Sequence, residues 1–70
     1  MFKASVITVS DKGYAGERVD TAGPLAAELL REAGYEVLTV SIVPDERPLI
    51  EAELRRHADE LGAALILTTG

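Results

Sequence analysis

Apolar and polar positions along the chain follow two periods, one of about two residues and one of about 3.6. Residues Lys3–Ser10, "KASVITVS", gather β-branched Val6, Ile7 and Val9 in a short run that predicts a strand. "DKGYAGERVDTAG" follows, with three glycines and five charged residues, and predicts a loop. At about ten residues it exceeds the usual strand-to-helix connection, and long loops in compact domains are often functional. "PLAAELLREAG" predicts a helix with Asp20 or Thr21 as its cap and Pro24 in its first turn. Leu25, Leu29 and Ala33 line one face of it, with Ala26 and Leu30 beside them, and Gly34 ends it.

"YEVLTVSIV" predicts a second strand. Leu38, Val40 and Ile42 point one way and Thr39 and Ser41 the other, between Val37 and Val43. That half-polar face suits an edge. "PDERPLIEAELRRHADELG" predicts a second helix with Asp45 as its N-cap and Glu46 in its first turn. Ile50, Leu54, His57 and Leu61 form its apolar stripe, and Gly62 ends it. "AALILT" predicts a third strand, apolar on both faces and so expected to be central.

The order β-α-β-α-β implies parallel strands joined by right-handed crossovers. With the second strand at an edge, the spatial order is 2-1-3 and the helices cover opposite faces, a three-layer α/β/α arrangement. The strand order then reverses between the first and third strands. A ligand crevice is expected outside their carboxyl ends. Ser10, Asp11, Thr68, Thr69 and Gly70 fall there.

Composition narrows the function classes. Seventy residues bound the chain to one small domain. Cysteine is absent, which removes disulfides and thiolate metal sites and favours a cytoplasmic location. The net charge of −5, with no basic cluster beyond Arg55-Arg56, argues against nucleic acid as a partner. No apolar run approaches the roughly 20 residues of a membrane span, and no signal peptide is recognisable.

Each candidate motif has a structural reading beside a chemical one. Ser10-Asp11 could open a turn or face a ligand at the switch point. Asp45 reads as a helix cap, and a capping carboxylate keeps lone pairs for Mg²⁺ or for orienting a phosphate. Thr68-Thr69-Gly70 offers hydroxyls and backbone N–H groups suited to phosphate oxygens. His57 sits amid an apolar helix face, where a packing role outweighs ligation. Arg55 and Arg56 read as a solvated face. Neither G-x-G-x-x-G nor G-x-x-x-x-G-K-[ST] is present, and no Ser-His-Asp order supports hydrolase chemistry.

Taken together, "VITVSDKGYAGERVDTAGP", "IVPDE" and "LILTTG" resemble the molybdenum-cofactor-biosynthesis family of the MogA/MoaB type. The resemblance covers essentially the whole chain. Family domains are considerably longer, so residues 1–70 are expected to be the N-terminal portion of a single truncated domain of this kind. The resemblance implies a molybdopterin-binding α/β fold, commonly a homotrimer. It implies transfer of AMP from Mg-ATP to the terminal phosphate of molybdopterin, and hand-over to a molybdate-insertion partner. By position, Asp45 resembles the family's first catalytic, metal-associated aspartate. Ser10 and Asp11 match its strand-end pair, Asp20, Gly23 and Pro24 its helix-opening motif, and Thr68, Thr69 and Gly70 the start of its glycine loop. A pterin-binding member without transferase activity, an inactive fragment and another flavodoxin-like binding module are the alternatives. Flavodoxins want a denser Ser/Thr-Gly loop after the first strand. A receiver domain wants an aspartate where Thr68-Thr69 stand.

Overall fold

A computed structural model describes all 70 residues. Three parallel strands, β1 (Lys3–Val9), β2 (Glu36–Val43) and β3 (Leu65–Thr69), form one sheet in the order β2-β1-β3. Helix α1 (Asp11–Tyr14) lies just after β1, α2 (Ala22–Glu32) links β1 to β2, and α3 (Arg47–Arg55) links β2 to β3. Residues Ala4 to Thr8 of β1 are all buried, because strands flank β1 on both sides and helices cover both its faces. Side chains alternate along a strand. Ala4 and Val6 accordingly join Ala27 and Leu30 of α2 in the core, while Ser5 meets His57 from the opposite side. The expected 2-1-3 α/β fold with helices on opposite faces is thus observed.

Several local expectations are corrected. The strand expected at the sheet centre, β3, pairs only with β1 within these residues and leaves Leu67 exposed; β1 is the central strand. On α2 the buried residues are Gly23, Ala27 and Leu30, with Ala26 half-buried, while Leu25 and Leu29 face outward. The buried face thus runs through Gly23, Ala27 and Leu30, about one position round the helix from the expected one, and the small Gly23 and Ala27 let its backbone sit close to the sheet. The strict alternation expected in the second strand is broken by a bulge, since Ala4 pairs with Val37 but Val6 pairs with Val40. The extra residue reverses the side-chain parity, so Val37 and Val40 both reach the α2 core.

Helix ends follow local chemistry. Gly34 (φ +96°) closes α2 while the Tyr35 N–H donates to the Leu30 carbonyl at 3.0 Å and the Gly34 N–H to Arg31 at 3.0 Å, a Schellman motif. The second crossover helix does not run uninterrupted to Gly62. After Arg55 it widens into a π-helical turn, Arg56–Glu60, ending at Gly62 (φ +70°). His57 sits in this turn, fully buried. Its Nδ1 lies 2.6 Å from Ser5 Oγ, and its Nε2 lies 3.1 Å from Ser41 Oγ and 3.2 Å from Glu53 Oε2. The histidine is therefore structural, as its place on the apolar stripe suggested, but held by hydrogen bonds rather than by packing alone.

Candidate functional site

The crevice outside the carboxyl ends of β1 and β3 holds a cavity of about 260 Å³. Ser10, Asp20 and Gly70, all expected from sequence, line it, together with Thr8, Gly13 and Arg18. Ser10 leaves β1 in an extended conformation, and its hydroxyl accepts the Gly13 N–H at 3.0 Å. It caps α1, a short helix inside the segment expected to be a loop. Ser10 thus opens a turn and also lines the cavity.

Asp20 ties the loop to the sheet. Its Oδ1 accepts the Gly23 N–H at 3.0 Å, and its Oδ2 accepts the Thr8 hydroxyl at 2.8 Å. Thr21 occupies the cap position of α2 without a side-chain bond, so Asp20 does the capping chemically, one residue early. Gly23 is buried beneath this bracket: a Cβ there would lie 2.7 Å from Thr8 Oγ1 and 2.8 Å from Val40 Cγ1, and would also strike Asp20. Gly70 fits for a similar reason, because a Cβ would fall 2.6 Å from the Val9 carbonyl oxygen.

Asp45 is not a helix cap. Helix α3 starts at Arg47, Glu46 occupies the cap position without a side-chain bond, and Asp45 is exposed. Pro48 fixes the first turn, and the chain reaches it through an extended Glu46. The Asp45 N–H instead donates to Asp11 Oδ1 at 2.8 Å, which joins two candidate residues 34 positions apart. The pair adjoins the cavity: the Ser10 N–H donates to the Val43 carbonyl at 2.9 Å, just before Pro44-Asp45. Thr68 and Thr69 lie on β3 opposite Ile7 and Thr8 and do not line the cavity, whereas Gly70 does. No group of three His, Asp or Glu side chains forms a ready-made metal cage.

Arg18 is the site residue that sequence reasoning missed. Its signal was present but weak: one of five arginines in an acidic chain, two residues ahead of the Asp-x-x-Gly-Pro stretch that starts at Asp20. Glu53, whose carboxyl is held well below its ordinary value, lies elsewhere, on α3. Arg56 bonds it at 2.8 and 2.9 Å and brings it down to about 2, against the opposing effect of burial and with help from Ser41 and His57. That network is structural and is no pointer to the site.

A parallel sheet in the order 2-1-3, with a cavity where that order reverses, defines an α/β protein of the switch-point class. The particular family follows from comparison. Residues 5–70 match the family described as a probable molybdopterin binding domain, and the chain belongs to it. The chain is 46% identical over 69 residues to a molybdopterin adenylyltransferase of Pyrococcus furiosus, covering 99% of this chain and 40% of that protein. The crystal structure of the molybdopterin biosynthesis enzyme MoaB from Thermus thermophilus superposes with a TM-score of 0.88 at 49% identity, over 100% of this chain and 44% of that one. CinA from Thermoplasma acidophilum, a protein of unknown function, superposes with a TM-score of 0.86 at 28% identity, over 97% of this chain and 39% of that one. The chain thus spans about two fifths of the length of these relatives.

Proposed function

We propose that the protein acts in molybdenum cofactor biosynthesis, binds molybdopterin at the β1/β3 crevice, and transfers AMP from ATP to its terminal phosphate. The observation that carries this reading is the convergence of Ser10, Asp20 and Gly70 on one cavity beside the Asp11–Asp45 pair, in a chain of the molybdopterin-binding family. The name of the Pyrococcus relative supports adenylyl transfer in particular.

In the proposed reaction a phosphate oxygen of molybdopterin attacks the α-phosphorus of ATP. The new P–O bond forms as the bond to the β-phosphate oxygen breaks, and pyrophosphate leaves with that electron pair. The nucleophile is already an anion, so no strong base is required; alignment and charge neutralisation are the protein's tasks. Mg²⁺ characteristically uses one or two carboxylates, with phosphates and water completing its shell, so the absence of a three-ligand cage is compatible with it. Asp45, with Asp11 beside it, would hold the ion, which would offset charge on the reacting phosphates. Residues 1–70 are taken as the N-terminal portion of the binding domain. Assembly as a homotrimer, a cytoplasmic location and delivery to a molybdate-inserting partner belong to the same proposal. The outward Leu25 and Leu29 offer apolar surface for such contacts. No helix is long and apolar enough to cross a membrane.

The test uses the full-length protein with molybdopterin and Mg-ATP, following adenylylated pterin and pyrophosphate. Asp45→Asn is the informative variant. Because Asp45 contributes its backbone N–H and not its side chain to the fold, stability should move by less than about 1 kcal/mol. Turnover should fall on the order of a hundredfold or more, while molybdopterin binding without Mg-ATP persists. Undiminished turnover would remove Asp45 from the chemistry. Tight pterin binding with no transfer, even in the wild type, would establish the binding-only reading.

A further inference from the structure

We propose that Arg18 recognises the anionic group of the ligand that enters the cavity between β1 and the start of α2. The inference rests on the molybdopterin reading for the identity of that ligand, and on the structure for the chemistry. The cavity lining carries two charged side chains, Arg18 and Asp20. Asp20 already spends one oxygen on the Gly23 N–H and the other on the Thr8 hydroxyl. Arg18 is bound to nothing: the ion pairs of the protein are Arg47–Glu51, Arg56–Glu53 and His57–Glu53. Arg31 and Arg55 are likewise without an ion pair, so it is the place of Arg18 on the cavity wall, and not its lack of a partner, that sets it apart.

A free arginine on a surface loop is most often a solvated one. Arg18 is itself exposed, but it borders a concave site whose polar neighbours are held in place. Asp20 fixes the loop to β1 only two residues further on, and the Glu17 N–H donates to the Lys12 carbonyl at 2.8 Å just before it. The flexible part of the side chain therefore starts from an anchored backbone. Helix α2, 11 residues long, begins at the same cavity through Thr21 and Ala22, but the Asp20 carboxylate already caps its positive end, which leaves Arg18 as the one cationic side chain of the lining. The guanidinium fork can take two oxygens of one phosphate, which an ammonium cannot reproduce. On the molybdopterin reading the anion is a phosphate ester or phosphoanhydride, and Arg18 sets the preference for the phosphorylated pterin over its dephosphorylated form.

The experiment measures affinities of the full-length wild type, Arg18→Gln and Arg18→Lys for three probes: molybdopterin, the same pterin lacking its phosphate, and inorganic pyrophosphate. Arg18→Gln is expected to weaken molybdopterin binding by about ten- to a hundredfold. Affinity for the dephosphorylated pterin should stay unchanged, and Arg18→Lys should fall between. The salt dependence of molybdopterin binding should shrink in Arg18→Gln. Equal affinities of wild type and Arg18→Gln for molybdopterin overturn the proposal. So does an equal loss for both pterins, which would make Arg18 a pterin contact or a loop support. If the wild type binds neither pterin but binds pyrophosphate in an Arg18-dependent way, the anion role stands and the molybdopterin reading falls. If pyrophosphate also binds independently of Arg18, both fall.

Discussion

At Gly23 three demands meet in a space with no room for a methyl group. The N–H must reach Asp20, the Cα must pass Thr8, and the first turn of α2 must sit on Val40. Gly23→Ala is expected to destabilise the full-length protein by about 1–3 kcal/mol through overpacking. It should also lower ligand affinity, since Thr8 and Asp20 both border the cavity. Denaturant unfolding and pterin titration of the variant check the two effects, and wild-type values in both would show that the loop yields freely. This bracket was only partly legible in the sequence. Asp20 and Gly23 could be marked as a helix opening, but the bond from Asp20 to Thr8 spans 12 residues and exists only because the loop folds back over β1. Asp45 failed as a cap for a related reason. Pro-Asp-Glu carries cap chemistry, yet Pro48 moves the start of α3 to Arg47 and leaves Asp45 to meet Asp11. Gly34 and Gly62 were legible because their positive φ is a local requirement.

Elements were legible where period and end signals agreed. The three strands and two crossover helices fall where the apolar runs and glycines put them. The bulge in β2 and the π-helical turn after α3 did not show, because each inserts one residue into a pattern that looks regular without it. The π turn has a visible physical consequence: it accompanies the placement of His57 between Ser5 and Ser41, strands β1 and β2 each supplying one hydroxyl. Glu53 completes this cluster, and its sign of pH dependence can be worked out. A carboxyl held at about 2, below its ordinary 4.5, stabilises the fold above pH 4.5 and loses that contribution as pH falls from 4.5 towards 2. Glu53→Gln should therefore reduce stability at pH 6 and flatten its decline between pH 5 and pH 2.5 (roughly the span between the two pKa values). Denaturation midpoints measured across that range in full-length wild type and variant test this, and parallel curves would assign the acid sensitivity to other carboxylates.

For the molecule as a whole, the 2-1-3 order was legible because crossover handedness and the half-polar second strand leave few alternatives. Which strand would be most buried was not, because burial of β3 depends on what lies beyond its free edge. Only 10 of the 70 residues are buried, so residues 1–70 alone enclose too little apolar surface for a robust core. Leu25, Leu29 and Leu67 stay exposed, and β3 offers unpaired backbone along the side away from β1. Apolar side chains beside an open strand edge favour association over a dilute monomer. Residues 1–70 produced by themselves should therefore sediment as oligomers or aggregates at micromolar concentration, with broad amide resonances. Replacing Leu67, on the free strand, by Lys should shift that equilibrium towards smaller species, since a charge on an edge opposes strand pairing. A monomer that unfolds cooperatively, with dispersed resonances and no dependence on concentration, would show that β1 and its two helices suffice as a folding unit.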